Sequence, residues 1–210
     1  MNTYIKQLNW RYAVKQFDNT KKISEEDLNI LKEAIQLSAS SYGLQPYKVI
    51  IVEDKATREQ LKAASWNQSQ ITDASHMIVL ANMTDADESL VDNYIDNVSE
   101  TRGIAKENLT GYSDMMKSNV VALPTEVKDN WTAKQAYIAL GNLLSAAAFL
   151  KIDACPMEGF DSKAYNQILG LEKENLNAAV VITLGYRAEE DQTQHYKKVR
   201  KPENELFSTI

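Results

Sequence analysis

Residues 127–150 constrain the fold most, because they hold the longest continuous helical pattern in the chain. The second half of this segment is apolar nearly all round, which is typical of a buried helix. Gly141 and several alanines would let another backbone approach closely, so we expect a core helix or a helix on a dimer axis. The apolar stripe consists of Ala133, Ala136, Tyr137, Leu140, Leu144 and Ala147.

Four short apolar runs at 47–52, 77–81, 152–156 and 178–185 predict strands, and the segments between them have helical spacing. Continuous apolar strands indicate a sheet that is covered on both faces. A long helical insertion separates the second run from the third, which argues against a regular doubly wound fold. The pattern therefore favours an α+β fold, and 210 residues favour one domain spanning residues 1–210.

Several kinds of chemistry are disfavoured by the sequence. No two of the seven glycines are spaced as G-x-G, so neither a Rossmann fingerprint nor a P-loop is present. Two histidines and one cysteine make a His/Cys metal site improbable, and we expect no metal. His76 opens a strand and is expected to be structural, and Cys155 lies in an apolar run where a buried, unreactive thiol is expected.

Charge and targeting signals narrow the choice of partners and compartment. The net charge of −6 disfavours nucleic-acid binding, which depends on contacts to phosphates. Residues 1–10 lack the apolar core of a signal peptide, and the most apolar run is too short to span a bilayer. A single cysteine permits no intramolecular disulfide, so we expect a cytoplasmic protein without a membrane partner.

The positive charge of this acidic chain is concentrated near its two ends. Arg11 and Lys15 lie in the first segment, four residues apart and hence on one face of a helix, and residues 197–201 carry four more basic side chains. If folding joins the two ends, they form a cationic pocket for a small phosphorylated ligand. Charge alone leaves this pocket and two solvated basic patches equally open.

Six segments, in order along the chain, resemble motifs of the FMN-dependent nitroreductase family, and of its oxygen-insensitive NAD(P)H nitroreductase and dihydropteridine reductase-like branch. They are RYAVKQFD at 11–18, ASSYGLQPY at 39–47, DASH at 73–76, AKQAY at 133–137 followed by Gly141-Asn142, PMEGFD at 156–161, and KVRKP at 198–202. The resemblance implies a three-layer α/β/α fold with a central mixed sheet of about four to five strands. It also implies a homodimer with FMN at the subunit interface.

The resemblance carries site roles onto individual residues. Arg11, Lys198 and Arg200 would hold the FMN phosphate, and Lys15 would lie near the flavin N1/O2 edge. The second subunit would contribute Ser40 and Ser41, with Ala39 and Gly43. The remaining cofactor positions implied are Tyr12, Ala13, Asn67, Gln70, Gln135, Pro156, Met157, Glu158 and Gly159, the last three running along the isoalloxazine ring with a backbone N–H near N5 and the Glu158 carboxylate turned away.

The resemblance also implies an activity. Hydride from NAD(P)H would pass through flavin N5 to nitroaromatic or quinone-type acceptors in a ping-pong sequence, with no side chain required as acid or base. Tyr112 is a candidate to stack over the substrate. The chain departs from the family at Ala13, where a serine is usual, at Gly43, where asparagine is frequent, and at Gln70, where relatives often carry lysine. Because reduced flavin is anionic, a missing lysine predicts a lower flavin potential.

Three alternatives stay open at this stage. The chain could bind flavin as a sensor or store without turnover. It could be another flavin reductase or a dehalogenase, since one fold hosts several activities. It could also bind no flavin, with the basic ends merely solvated.

Overall fold

The computed structural model describes residues 2–210, which form nine α-helices and four strands. The helices are α1 (Thr3–Trp10), α2 (Glu25–Gln36), α3 (Lys55–Ala63), α4 (Gln70–Asp73), α5 (Glu88–Arg102), α6 (Thr110–Met116), α7 (Thr125–Phe149), α8 (Ser162–Leu169) and α9 (Glu203–Leu206). The strands are β1 (Tyr47–Val52), β2 (His76–Met83), β3 (Asp153–Met157) and β4 (Leu176–Gly185).

The four strands form one sheet in the order β1-β2-β4-β3, and every neighbouring pair is antiparallel. The prediction of a mixed sheet is therefore wrong for these strands. An isolated bridge between Ala13 and Ala154 is parallel, and it places the N-terminal segment alongside β3. Strand direction was missed because an apolar run shows burial on both faces but not the direction of its neighbour.

Helices cover both faces of the sheet, as a three-layer α/β/α fold requires. Alternate residues of β2 point to opposite sides. Met77 and Val79 pack in one core with residues of α3 and α8, whereas Ile78 and Leu80 pack in a second core with α2 and α7. A third, smaller cluster lies under α5 and α6. The long insertion between β2 and β3 thus supplies both the central helix α7 and a separate helical cap.

The central helix α7 is not buried all round, contrary to the sequence pattern. Tyr137 is 39% exposed, Ile138 45% and Phe149 61%, and nothing lies within 4 Å of the position a Cβ would take at Gly141. The face that enters the core is rotated from the predicted stripe and consists of Ala136, Ala139, Leu140, Leu143, Ala147 and Ala148. One apolar face of α7 is therefore left uncovered by its own chain.

The segments on either side of this core are less regular. The segment at 106–121 is divided into a 3-10 turn (Lys106–Leu109), α6, and a π-helical turn (Lys117–Val121). The chain beyond residue 195 is largely exposed and includes Val199 and Phe207 at 85% and 68% exposure. Within residues 2–210, no helix is both long enough and apolar enough to cross a membrane.

Candidate functional site

The two basic ends of the chain meet in the folded molecule. The Lys198 ammonium donates a hydrogen bond to the backbone carbonyl of Arg11, across 187 positions of sequence. Arg200 lies close enough for its charge to lower the pKa of both partners. The structure therefore contains the cluster that charge balance alone left undecided.

This cluster is short of negative charge. Burial and then the neighbouring cations lower the pKa of Arg11 and of Lys198. In the described part of the chain no acidic side chain forms an ion pair with Arg11, Lys198 or Arg200. The Nε atom of Arg11 is buried with no hydrogen-bond partner. A buried donor without an acceptor is unfavourable by about 1–3 kcal/mol, so an anion such as phosphate fits this place.

A fourth cation beside the cluster is already compensated. Arg187 makes a bidentate contact with Asp153, with Nη2 2.5 Å from one carboxylate oxygen and Nε 3.0 Å from the other, and its guanidinium stacks 4.5 Å from the rings of Trp10 and Tyr12. Fork geometry of this kind is the strongest arrangement for such a pair. Arg187 is thus a structural cation, and Arg11, Lys198 and Arg200 are the ones available to a ligand.

The opening motif is extended, not helical. Helix α1 ends at Trp10 and Arg11 already has extended dihedral angles, so the helical argument for pairing Arg11 with Lys15 is wrong. Buried Asp191 holds the extended segment instead. Its carboxylate accepts hydrogen bonds from the backbone N–H of Lys15 at 2.8 Å and from the Tyr12 hydroxyl at 3.1 Å. The Tyr12 hydroxyl is therefore already used in holding this segment in place.

The thiol of Cys155 marks the point where this segment, α4 and β3 converge. Burial raises the pKa of the thiol, while the charges of Lys15 and Arg11 and the side chain of Gln70 oppose that shift. Gln70 itself is only 6% exposed. Four of the residues named from sequence therefore lie around one point, and the expectation of a buried thiol is confirmed.

The loop that carries Asn67 packs against the PMEGFD segment. Trp66 and Asn67 both have positive φ, at 52° and 57°, so this loop is a tight left-handed turn. Gln68 donates from its amide to the carbonyl of Gly159 at 2.7 Å. A Cβ at Gly159 would lie 2.7 Å from the Trp66 ring, so only glycine permits this approach.

The same segment is held from the other side by α7. Pro156 and Met157 end β3, and Glu158 follows as an exposed residue. The Tyr137 hydroxyl donates to the Glu158 carboxylate at 2.5 Å. Burial, followed by the Glu158 carboxylate, raises the pKa of Tyr137 to about 12, so Tyr137 remains a donor at neutral pH.

The remaining candidates form a second group on another part of the chain. Gln135 accepts from the backbone N–H of Ser41 at 2.8 Å, and the Ser40 hydroxyl accepts from the N–H of Gln45. Tyr112, 36% exposed, donates to the Tyr42 carbonyl at 3.4 Å. The remaining candidates near this group are Ala39, which is exposed, and Gly43, which has φ of 79° and leaves room for the Tyr94 hydroxyl.

No hydrogen bond or ion pair in residues 2–210 connects this second group with the cationic cluster. The two groups therefore share no direct polar contact within the described chain.

Three residues of this region were missed by sequence reasoning. Asp191 directly follows Glu189 and Glu190 in a polar tail, and nothing in the sequence sets it apart from them. Tyr137 was assigned to the buried stripe. Arg58 is 7% exposed and donates to the carbonyls of Ile71 and Ala74, at 2.7 Å each. The sequence feature that could have indicated a buried Arg58 is its position on the apolar face of its helix, one turn before Leu61.

No group of three or more His, Cys, Asp or Glu side chains within the described chain is arranged to hold a metal ion.

A family model described as the Nitroreductase family matches residues 8–186. The chain belongs to the nitroreductase family. A Staphylococcus epidermidis protein that carries the name of an NAD(P)H nitroreductase is 38% identical, over 99% of this chain and 97% of its own length. The family model includes Arg11 but ends before Lys198 and Arg200, whereas the alignment with this relative extends over 99% of the chain.

Solved structures show the same nitroreductase fold. A Bacillus subtilis nitroreductase superposes with a TM-score of 0.85 at 24% identity, covering 99% of this chain and 98% of its own. An Exiguobacterium sibiricum nitroreductase, solved in complex with FMN, superposes with a TM-score of 0.83 at 19% identity, covering 100% and 98%. The fold expected from the six motifs is therefore confirmed.

Proposed function

We propose that this chain is an FMN-dependent oxidoreductase that takes reducing equivalents from NAD(P)H and delivers them to nitroaromatic or quinone-type acceptors. The observation that carries the proposal is the cluster of Arg11, Lys198 and Arg200, which has no acidic partner within residues 2–210 and contains a buried, unpaired guanidinium N–H. A phosphate monoester supplies the charge and the acceptors that this cluster lacks. The names of related proteins support both NAD(P)H and FMN.

The other candidate residues have roles that suit this cofactor. Lys15 and Gln70, around Cys155, would face the pyrimidine edge of the ring, and Asn67 would lie at its rim. The segment from Pro156 to Gly159 would run along the ring through its backbone, held in place by the Gln68 contact and by the close approach of Trp66 to Gly159. Bound FMN supplies the hydride chemistry, so no acid or base is required of the protein here.

We propose that the functional unit is a homodimer. Among the described residues, Ser40, Ser41, Gly43 and Gln135 make no hydrogen bond or ion pair with the cationic cluster of their own chain. In the dimer that we propose, each of these two groups would be half of a site shared with the partner. Exposed apolar side chains on the open face of α7 and on the C-terminal tail also favour a dimer. A second copy would cover this surface and complete the site, with Tyr112 above the substrate pocket. We regard residues 1–210 as one such FMN-binding unit.

The test begins with FMN affinity, measured by quenching of FMN fluorescence with the full chain. Arg11→Ala and Arg200→Ala should each weaken binding at least about tenfold, because a charge-assisted hydrogen bond contributes roughly 1.5–3 kcal/mol. Lys163→Ala, which removes an exposed cation from α8, is the control and should bind normally. Full affinity in both arginine variants would refute the phosphate cluster.

Turnover is tested on the reconstituted protein under anaerobic conditions. NADH or NADPH should bleach the flavin absorbance, and adding a quinone should restore it. Because donor and acceptor share one pocket, initial rates should give parallel double-reciprocal lines, and converging lines would contradict the shared pocket. A yellow protein that neither nucleotide bleaches would indicate a flavin store instead.

A further inference from the structure

The carboxylate of Glu158 depends on a single donor. Among residues 2–210 the only hydrogen bond to this carboxylate comes from the Tyr137 hydroxyl, at 2.5 Å. Glu158 is exposed and forms no ion pair within the same residues. The contact joins the PMEGFD segment to the central helix, so it fixes the direction in which the carboxylate points.

The surroundings of this pair offer no other compensation for the charge. Tyr137 and Glu158 line an open cavity of about 610 Å³ together with Glu126 and Asp129, and no Lys, Arg or His of the described chain lines it. Three carboxylates in one cavity repel each other. Without the Tyr137 hydroxyl, Glu158 would keep its full charge and could rotate away from its acidic neighbours.

We propose that Tyr137 is a positioning residue that holds the Glu158 carboxylate against α7 and thereby keeps its charge away from the flavin ring. This inference rests on the proposed function, in which the Glu158–Gly159 backbone runs along that ring. Reduced flavin carries a negative charge that oxidised flavin lacks. A freed carboxylate at this turn would therefore weaken the reduced form more than the oxidised form.

Other contacts keep the turn itself in place when this one is removed. Gln68 still holds the Gly159 carbonyl, and Trp66 still packs against the Gly159 Cα. Tyr137 is 39% exposed and phenylalanine fills the same space, so Tyr137→Phe removes the hydroxyl without opening the core. The variant thus frees the position of one carboxylate and changes little else.

The experiment compares the wild-type holoprotein with Tyr137→Phe, Glu158→Gln and the double variant. FMN affinity is measured for the oxidised form, and the midpoint potential then gives the ratio of reduced to oxidised dissociation constants. Tyr4→Phe is the matched control, because it removes a hydroxyl that lies 3.3 Å from Ser145 on the same helix α7. A double-variant cycle separates the effect of the pair from that of packing.

In Tyr137→Phe the ratio of dissociation constants should rise about threefold to tenfold, so that the potential falls. This is the range expected for one hydrogen bond to a charged group at a partly exposed site. In the Glu158→Gln background the same change should alter the ratio by less than about twofold, since no charge is left to direct. Tyr4→Phe should leave the ratio unchanged.

Two results would overturn the inference alone. One is an unchanged ratio in Tyr137→Phe. The other is a Tyr137→Phe effect of equal size with and without the Glu158→Gln substitution, which would indicate packing. A wild-type protein that binds no FMN would instead overturn the proposed function and this inference with it.

Discussion

Replacing Arg58 with methionine should destabilise the fold by about 3 kcal/mol, because it removes hydrogen bonds that no other donor can replace. The guanidinium donates to the carbonyls of Ile71 and Ala74 at 2.7 Å and to that of Ser75 at 3.4 Å. Two short hydrogen bonds from a charged donor contribute about 1.5 kcal/mol each at the lower end of their range. Burial of the Arg58 charge is unfavourable in itself and lowers the pKa of Arg58. Because the substitution also removes this unfavourable burial, we use the lower end of the range for each hydrogen bond.

The change should appear in thermal and urea unfolding. For a domain of this size about 3 kcal/mol corresponds to a fall in melting temperature of roughly 6–12 °C. Lys62→Met is the matched control, since it removes one positive charge from the same helix where the side chain has only a 3.8 Å contact with Glu59. A loss below about 1 kcal/mol in Arg58→Met, or an equal loss in the control, would refute the assignment of Arg58 as the residue that holds α4.

Three further outcomes follow from the site. Burial alone would raise the pKa of Asp191, but hydrogen bonds led by the Thr193 hydroxyl outweigh it and hold that pKa below its usual value. A lowered carboxyl pKa contributes stability that is present above the unfolded value of about 3.9 and is lost as the pH falls through the folded value. Asp191→Asn should therefore lose about 1–3 kcal/mol in urea unfolding at pH 7 and less below pH ~4, and an equal loss at both would contradict the reasoning. Gln70→Lys should raise the midpoint potential of bound FMN by adding a positive charge beside the ring, and a potentiometric titration showing no rise would count against it. The Cys155 thiol, 2% exposed and with its pKa raised by burial, should react with a disulfide reagent only after denaturant is added, so rapid labelling of the native protein would be inconsistent with the site geometry.

Local sequence signals were sufficient for most of the secondary structure. Ser24 caps the start of α2, accepting from the Asp27 N–H at 3.1 Å, and β1 has the bounds that its apolar run predicts. These features depend on neighbours within a few residues, which a sequence shows directly. The direction of the strands and the face of α7 that enters the core depend on the packing of distant segments. The mixed sheet was predicted wrongly, and the face of α7 in the core is rotated from the predicted stripe.

The candidate site could be named from sequence only through ordered motifs. Nothing in the sequence around Arg11 or Lys198 indicates that the two residues meet, because the contact between them is created by the fold. Asp191 and Arg58 were missed for a related reason. Arg58 donates to backbone carbonyls, and Asp191 accepts from the backbone N–H of Lys15, and backbone groups have no identity in a sequence.

The contact between Lys198 and Arg11 determines the earliest point during synthesis of the chain at which the anion site can form. At synthesis rates of about 5–20 residues per second, the 187 positions between them take roughly 10–40 s to make. Throughout that interval Arg11 is without its cationic neighbours, and a chain that stops before residue 198 never acquires them. Capture of a phosphorylated ligand at this cluster would thus report that synthesis has passed Arg200, and shorter copies would remain without that ligand's stabilisation.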